Sequence, residues 1–208
     1  MAPRLVVFDL DGTLLRGPTV CEVLAAPVGR SAEMAELEER RTVDDLRAAR
    51  ATMYSWYGDR PVDELRRWLD GATLAPGAVE GCARLRAAGC TLAIASFTWR
   101  FAVDHFADLV NAEHRLGSSV RADGSWDHVW AETKAEWVEE LMTRLRLERR
   151  DVAAVGDGSF DVPMLQAVGI PVFVGRTPVP GLPAPTVVMP DADLRVVADA
   201  LLTPAAGN

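Results

Sequence analysis

Leu5-Val6-Val7-Phe8-Asp9-Leu10-Asp11-Gly12-Thr13 is the stretch from which the rest of the chain can be read. Its apolar residues form a short run with no polar break, two of them β-branched. That is the pattern of a strand buried on both faces, expected over Arg4 to Phe8. Two carboxylates follow at once, with Gly12 leaving room for close backbone approach. The arrangement recurs downstream. Val152 to Val155 make another apolar run, closed by Gly156-Asp157-Gly158-Ser159-Phe160-Asp161. In an open parallel sheet, ligands bind outside the carboxyl ends of the strands. Both acidic groups are therefore expected on one rim. Asp and Gly are common in turns, and that explains either cluster alone. Two such clusters at strand ends in one chain point to a site instead. Carboxylates gathered there repel one another unless a cation lies between them. Magnesium, a hard cation with oxygen ligands, suits that place.

Outward from these strands, apolar runs alternate with amphipathic segments. Thr91 to Ala95 and Pro171 to Val174 read as further buried strands. A helix is expected through Val79, Cys82 and Leu85, ending at Gly89, and another near Phe101 to Val110. A hairpin is expected near Ser119 to Val129, around Gly124. From Lys134 to Leu147, the residues Trp137, Val138, Leu141, Met142 and Leu145 share one helical face. Leu194, Val197, Ala198 and Leu201 close the chain with helical spacing. The alternation predicts an α/β fold: a doubly wound, Rossmann-like parallel sheet covered on both faces.

The polar, helix-prone stretch between the first two strands is too long for a βα loop. It is expected to be an inserted small helical domain over residues 17–74. The core domain is then residues 1–16 and 75–208. A chain of 208 residues accommodates both and buries a core without disulfides. The 30 acidic against 22 basic residues give a net charge of -8. That argues against nucleic acid or an anionic membrane as a partner. Cys21, Cys82 and Cys90 are odd in number and lack metal-type spacing, so reduced thiols in a cytoplasmic protein are expected. No apolar stretch approaches the ~20 residues of a membrane helix.

Four pieces, in this order and spacing, resemble the haloacid dehalogenase superfamily, in its phosphoserine-phosphatase-like branch. They are Asp9-Leu-Asp-Gly-Thr13, the strand ending Ala95-Ser96, Lys134 in Glu-Thr-Lys, and Gly156 to Asp161. The helical insertion falls where this branch carries its cap. The resemblance implies a magnesium-dependent phosphatase acting on a small phosphorylated metabolite. Asp9 would be the nucleophile and become an acyl phosphate. Asp11 would protonate the leaving oxygen and then deprotonate water. Asp9 and Asp157, with the carbonyl of Asp11, would hold magnesium, and Asp161 would be a further ligand or a support. Lys134 and the metal would offset charge on the phosphoryl oxygens. Ser96 would bind phosphate, and Thr13, in the same pocket, would orient Asp11. The same residues would serve a phosphotransferase or phosphomutase, and a catalytically silent binding module is the reading of a different class.

The chain also departs from that branch. Phe97 and Phe160 stand at positions lining the phosphate site, where phosphoserine phosphatases usually have Gly and Asn. Pro18 lies near the place of an amine-binding Glu, with Glu22 four residues later. Arg47 or Arg50 stands in the region of the cap arginine that binds a substrate carboxylate. These departures put phosphoserine itself in question: rings that face the pocket predict a larger or less polar leaving group, whereas rings that turn into the core merely pack.

Overall fold

β1 (Leu5–Phe8) lies in the middle of a seven-stranded sheet. The computed structural model describes residues 2–38 and 42–203. Within them the strand order is β4-β3-β2-β1-β5-β6-β7. Beside β1 lie β2 (Thr91–Trp99) and β5 (Val152–Gly156), both parallel to it. β3 (His114–Val120) and β6 (Ile170–Phe173) extend the parallel sheet on either side, and β7 (Val187–Val188) follows β6. β4 (Trp126–Asp127) is the antiparallel edge, paired to β3 through a hairpin. Every residue of β1 is buried, as expected of a strand covered on both faces.

Helices cover the sheet. α5 (Ala78–Ala87) packs on α9 (Leu194–Leu202), and α7 (Ala131–Leu145) on α8 (Val162–Ala167). α6 (Arg100–Val110) joins β2 to β3 and packs on both. One core cluster joins Leu5 and Val7 of β1 to Ala93 of β2, Val138 and Leu141 of α7, and Met164 and Leu165 of α8. Burial of such side chains contributes roughly 1.5–3 kcal/mol each.

Register places the site. Phe8 pairs with Ile94 on one side and with Val155 on the other. Asp9 therefore leaves β1 level with Gly156, and its amide donates to the Val155 carbonyl at 2.9 Å. The chain moves one way from β1 to β2 and β3, and the other way through β5 and β6. The ends of β1 and β5 thus bound the crevice where strand order reverses, the usual ligand position in such sheets.

By its own contacts the chain divides into Met1–Arg16 with Leu74–Asn208, and Gly17–Thr73. The second unit holds α1 (Val20–Ala25), α2 (Ser31–Glu38), α3 (Val43–Tyr57) and α4 (Val62–Leu69). Within this unit α1 packs on the other three helices, and Leu24, Met34, Met53, Tyr57 and Leu65 are buried. Thr19 and Glu22 form a reciprocal capping box at the start of α1. Glu39 to Arg41, within the polar helix-prone stretch, lie outside the described residues.

Two expectations change, and two short elements were not foreseen. β2 runs on through Ser96 to Trp99, with its pairing to β3 slipping between Ala95 and Trp99. α7 starts at Ala131, which puts Lys134 in its first turn. α8 and β7 carry no periodic signal because they are six and two residues long.

Candidate active site

Asp9, at the end of β1, is buried. Its Oδ1 accepts a hydrogen bond from Lys134 Nζ at 2.6 Å. The same ammonium donates to Asp161 Oδ1, also at 2.6 Å. Asp161 uses its other oxygen, Oδ2, to accept the backbone amides of Asp157 and Gly158, at 3.0 and 3.1 Å. It thereby ties the loop after β5 to the lysine. Asp157 is half-buried, and its Oδ1 accepts the Thr13 hydroxyl at 3.2 Å. One oxygen from each of Asp9, Asp157 and Asp161 lies within 4.8 Å of the others.

This packing depends on Gly12. Its φ is +85°, and a Cβ there would stand 2.2 Å from Asp157 Oδ2. The loop after β1 can approach the loop after β5 only because the residue has no side chain.

The electrostatics follow from burial and crowding. Burial pushes the Asp9 carboxyl well above the usual carboxylate range, with the charge of Asp161 next, then Asp157; Lys134 acts against them. Asp157 is raised to about 6, by burial first and then by Asp161, while Thr13, Lys134 and Arg16 oppose the rise. Burial alone would lower Lys134, but Asp161 and Asp9 hold its ammonium above the ordinary lysine value. Three clustered carboxylates thus face a lysine that does not balance them. An all-oxygen, acidic donor set of this kind fits a hard divalent cation.

Of the other expected residues, Asp11 is half-buried, and its side chain is outside the group of three. Its expected contribution to a metal was its carbonyl. Thr13 is fully buried and donates to Asp157, a contact beside the expected orienting of Asp11. Ser96 is buried, and its hydroxyl accepts the Thr98 amide at 3.3 Å. Phe97 and Phe160 meet, with ring centroids 5.1 Å apart, and Lys134 Nζ lies 5.0 Å from the Phe97 centroid. In the inserted unit, Glu22 Oε2 accepts the Thr19 amide at 2.6 Å. Arg47 is exposed beside Asp44, whereas Arg50 is buried, and burial lowers its pKa to about 10.

Two residues escaped the sequence reading. Arg16 Nη1 donates to Asp191 Oδ1 at 3.0 Å, and its charge reaches Asp157. Its place directly after the first motif was the available signal. Buried Ser118 donates to the Phe97 carbonyl at 2.8 Å and accepts the Val129 amide at 3.0 Å. It satisfies backbone groups where the β2–β3 pairing slips, and nothing in the sequence marks a serine for that task.

A doubly wound sheet with three carboxylates and a buried lysine at its strand ends defines a class of α/β proteins with an acidic, cation-compatible site. Within it, the family model for haloacid dehalogenase-like hydrolases matches residues 6–166, and the chain belongs to that family. A phosphoserine phosphatase of Archaeoglobus fulgidus is 27% identical over 176 residues, which are 80% of this chain and 51% of that protein. One of Methanocaldococcus jannaschii is 21% identical over 185 residues, covering 85% of this chain and 87% of that protein. The chain thus spans about half the length of the Archaeoglobus protein, and similarly 56% of a Vibrio cholerae phosphoserine phosphatase. Among solved structures, a phospho-aspartyl intermediate analogue of phosphoserine phosphatase superimposes with a TM-score of 0.76 at 21% identity, over 96% of this chain and 99% of that one. A substrate-bound phosphoserine phosphatase complex gives 0.77 at 20% identity, with the same coverage. At these identities the likeness of structure establishes the fold. Among the described residues no helix is long and apolar enough to cross a membrane.

Proposed function

We propose that this protein is a magnesium-dependent phosphatase that hydrolyses a small phosphomonoester through a phosphorylated Asp9. The observation that carries the reading is the buried contact of Lys134 with Asp9 and Asp161 at 2.6 Å, inside a cluster that includes Asp157. Family membership and similarity to phosphoserine phosphatases support the reaction class. Asp9 and Asp157, with the Asp11 carbonyl and with Asp161 as support, would hold the metal. When bound, magnesium supplies positive charge beside the phosphoryl oxygens.

In the first half-reaction a carboxylate oxygen of Asp9 forms a bond to phosphorus, and the ester P–O bond breaks. Asp11 gives its proton to the leaving alkoxide. Lys134 holds Asp9 in position and offsets charge on the equatorial oxygens, with Ser96 as a further phosphate contact. In the second half, Asp11, now ionised, takes a proton from water as that water attacks phosphorus. The bond to Asp9 breaks, phosphate leaves, and the proton balance is restored. Thr13 serves by orienting Asp157. Residues 17–74 act as the cap of a core made of 1–16 and 75–208.

The test is a panel of phosphorylated metabolites and an aryl phosphate, assayed with magnesium for released phosphate. Turnover that stops in chelator and returns with magnesium is the expected result. Phosphate passed to an added alcohol in preference to water would replace hydrolysis by phosphotransfer. No turnover of any ester would overturn the reading.

A further inference from the structure

Two phenylalanine rings sit beside a site otherwise made of charges. Phe160 lies between Ser159 and Asp161 in the loop after β5 and is 41% exposed. Phe97 lies one residue beyond Ser96 on β2 and is half-buried. The rings touch, tilted at 59°, with centroids 5.1 Å apart. The Phe97 ring also faces the Lys134 ammonium, 5.0 Å from its centroid, and that ammonium holds Asp9 at 2.6 Å. An apolar surface therefore lies within a side chain's reach of the carboxylate proposed to take the phosphoryl group. Neither ring belongs to the core cluster behind the sheet. An exposed Phe beside three carboxylates gains little from burial in the free protein.

The backbone under this pair is held in place. The Ser118 hydroxyl donates to the Phe97 carbonyl and accepts the Val129 amide, across the slip in the β2–β3 pairing. Asp161 fixes the other loop through the amides of Asp157 and Gly158. Both rings are thus carried on ordered segments. The carboxylate of Glu22, which follows Pro18 in the inserted unit, already accepts the Thr19 amide in a capping box.

We propose that Phe97 and Phe160 form an apolar seat for the leaving group, so that the preferred substrate is a phosphomonoester whose alcohol carries an apolar group near the ester oxygen, not a charged amino acid. The inference rests on the reading of Asp9 as the phosphoryl acceptor. Phe supplies apolar area and no hydrogen-bonding group, so the pair discriminates by covering hydrocarbon and by leaving polar substituents unpaired. The competing role for the rings is to shield Lys134 alone. Shielding would affect every ester alike, because it acts on the phosphate end.

The experiment compares kcat/KM for 2-phenylethyl phosphate and O-phosphoserine, both esters of primary alcohols, in wild type, Phe160→Ala and Phe97→Leu. Because Phe160 is exposed, its replacement is a small risk to folding, and far-ultraviolet circular dichroism checks each variant. Wild type is expected to favour the phenylethyl ester by about tenfold or more, the scale of discrimination by apolar pockets. Phe160→Ala is expected to erase most of that ratio, and Phe97→Leu part of it. Preference for O-phosphoserine in wild type, or a ratio unmoved by both substitutions, overturns the seat and leaves the phosphatase reading standing. Failure to hydrolyse either ester overturns the seat; failure across the wider panel of esters as well, with no phosphate on Asp9, overturns both.

Discussion

Replacing Lys134 by Met removes an ammonium that lies 2.6 Å from Asp9 and 2.6 Å from Asp161, and keeps a flexible apolar stem in its place. The lysine side chain is 2% exposed, and the two carboxylates are 9% and 4% exposed, so water cannot simply take over. Removing one member of a buried ion pair costs about 3–5 kcal/mol, because the other charge is left uncompensated. In a chain of this size each kcal/mol lowers Tm by about 2–4 °C, so a fall of about 10 °C is expected at pH 7.5 in chelator. The pH dependence follows from the carboxylates. Asp9 and Asp157 both have folded pKa values above the ordinary range, Asp157 at about 6. A raised folded pKa means that the folded state holds the proton more tightly than the unfolded chain. Its stabilising contribution is present at low pH and is lost as pH rises through the folded value. The penalty for Lys134→Met is therefore largest where these carboxyls are ionised and shrinks on acidification through the Asp157 value of about 6, as they become neutral. Thermal unfolding of wild type and variant between pH 4.5 and 8, with chelator and with magnesium, measures it. Equal stability at pH 7.5 in chelator, or a penalty that grows on acidification, would mean that Lys134 is not the counter-charge of these carboxylates.

Gly12→Ala puts a methyl group 2.2 Å from Asp157 Oδ2 at a φ of +85°. It should lower stability by about 1–2 kcal/mol through backbone strain alone and weaken magnesium binding as well; unchanged urea unfolding would contradict this. Magnesium affinity, measured by titration calorimetry, should fall by about tenfold or more per pH unit below the Asp157 value of about 6, as protons on Asp157 and Asp9 compete for the site. A constant affinity from pH 7.5 to 5 would exclude that competition. Asp11→Asn should slow turnover by about 10²-fold or more while magnesium still binds, since the proposed ligand is the carbonyl; stopped-flow assay and calorimetry separate the two effects.

Much of this architecture was legible because its signals are local. Leu5 to Phe8 and Val152 to Val155 are uninterrupted apolar runs, and acids follow both, so the sheet and its rim could be read together. The course of β2 past Ala95 was not legible. Phe97, Thr98 and Trp99 are strand-prone by type, but the apolar run breaks at Ser96, and beyond it Ser118 satisfies the Phe97 carbonyl where the register slips. Lys134 could be singled out by its place among the motifs. That its ammonium bridges Asp9 and Asp161 depends on the first turn of α7 lying against two loops remote in sequence. Thr13 shows the same limit: it sits two residues from Asp11, yet its hydroxyl goes to Asp157, 144 residues away. For Phe97 and Phe160 residue type is plain in the sequence, but their mutual contact exists only in the fold.

Phosphoryl transfer to Asp9 is the step on which the proposed mechanism turns. Rapid acid quench during turnover of a good ester with magnesium, followed by peptide mass spectrometry, tests it most directly. A hydroxylamine-labile phosphate is expected on the peptide containing Asp9, absent in Asp9→Asn, which should also be inactive. Phosphate trapped on a different residue, or an Asp9→Asn variant that turns over at the wild-type rate, would contradict it.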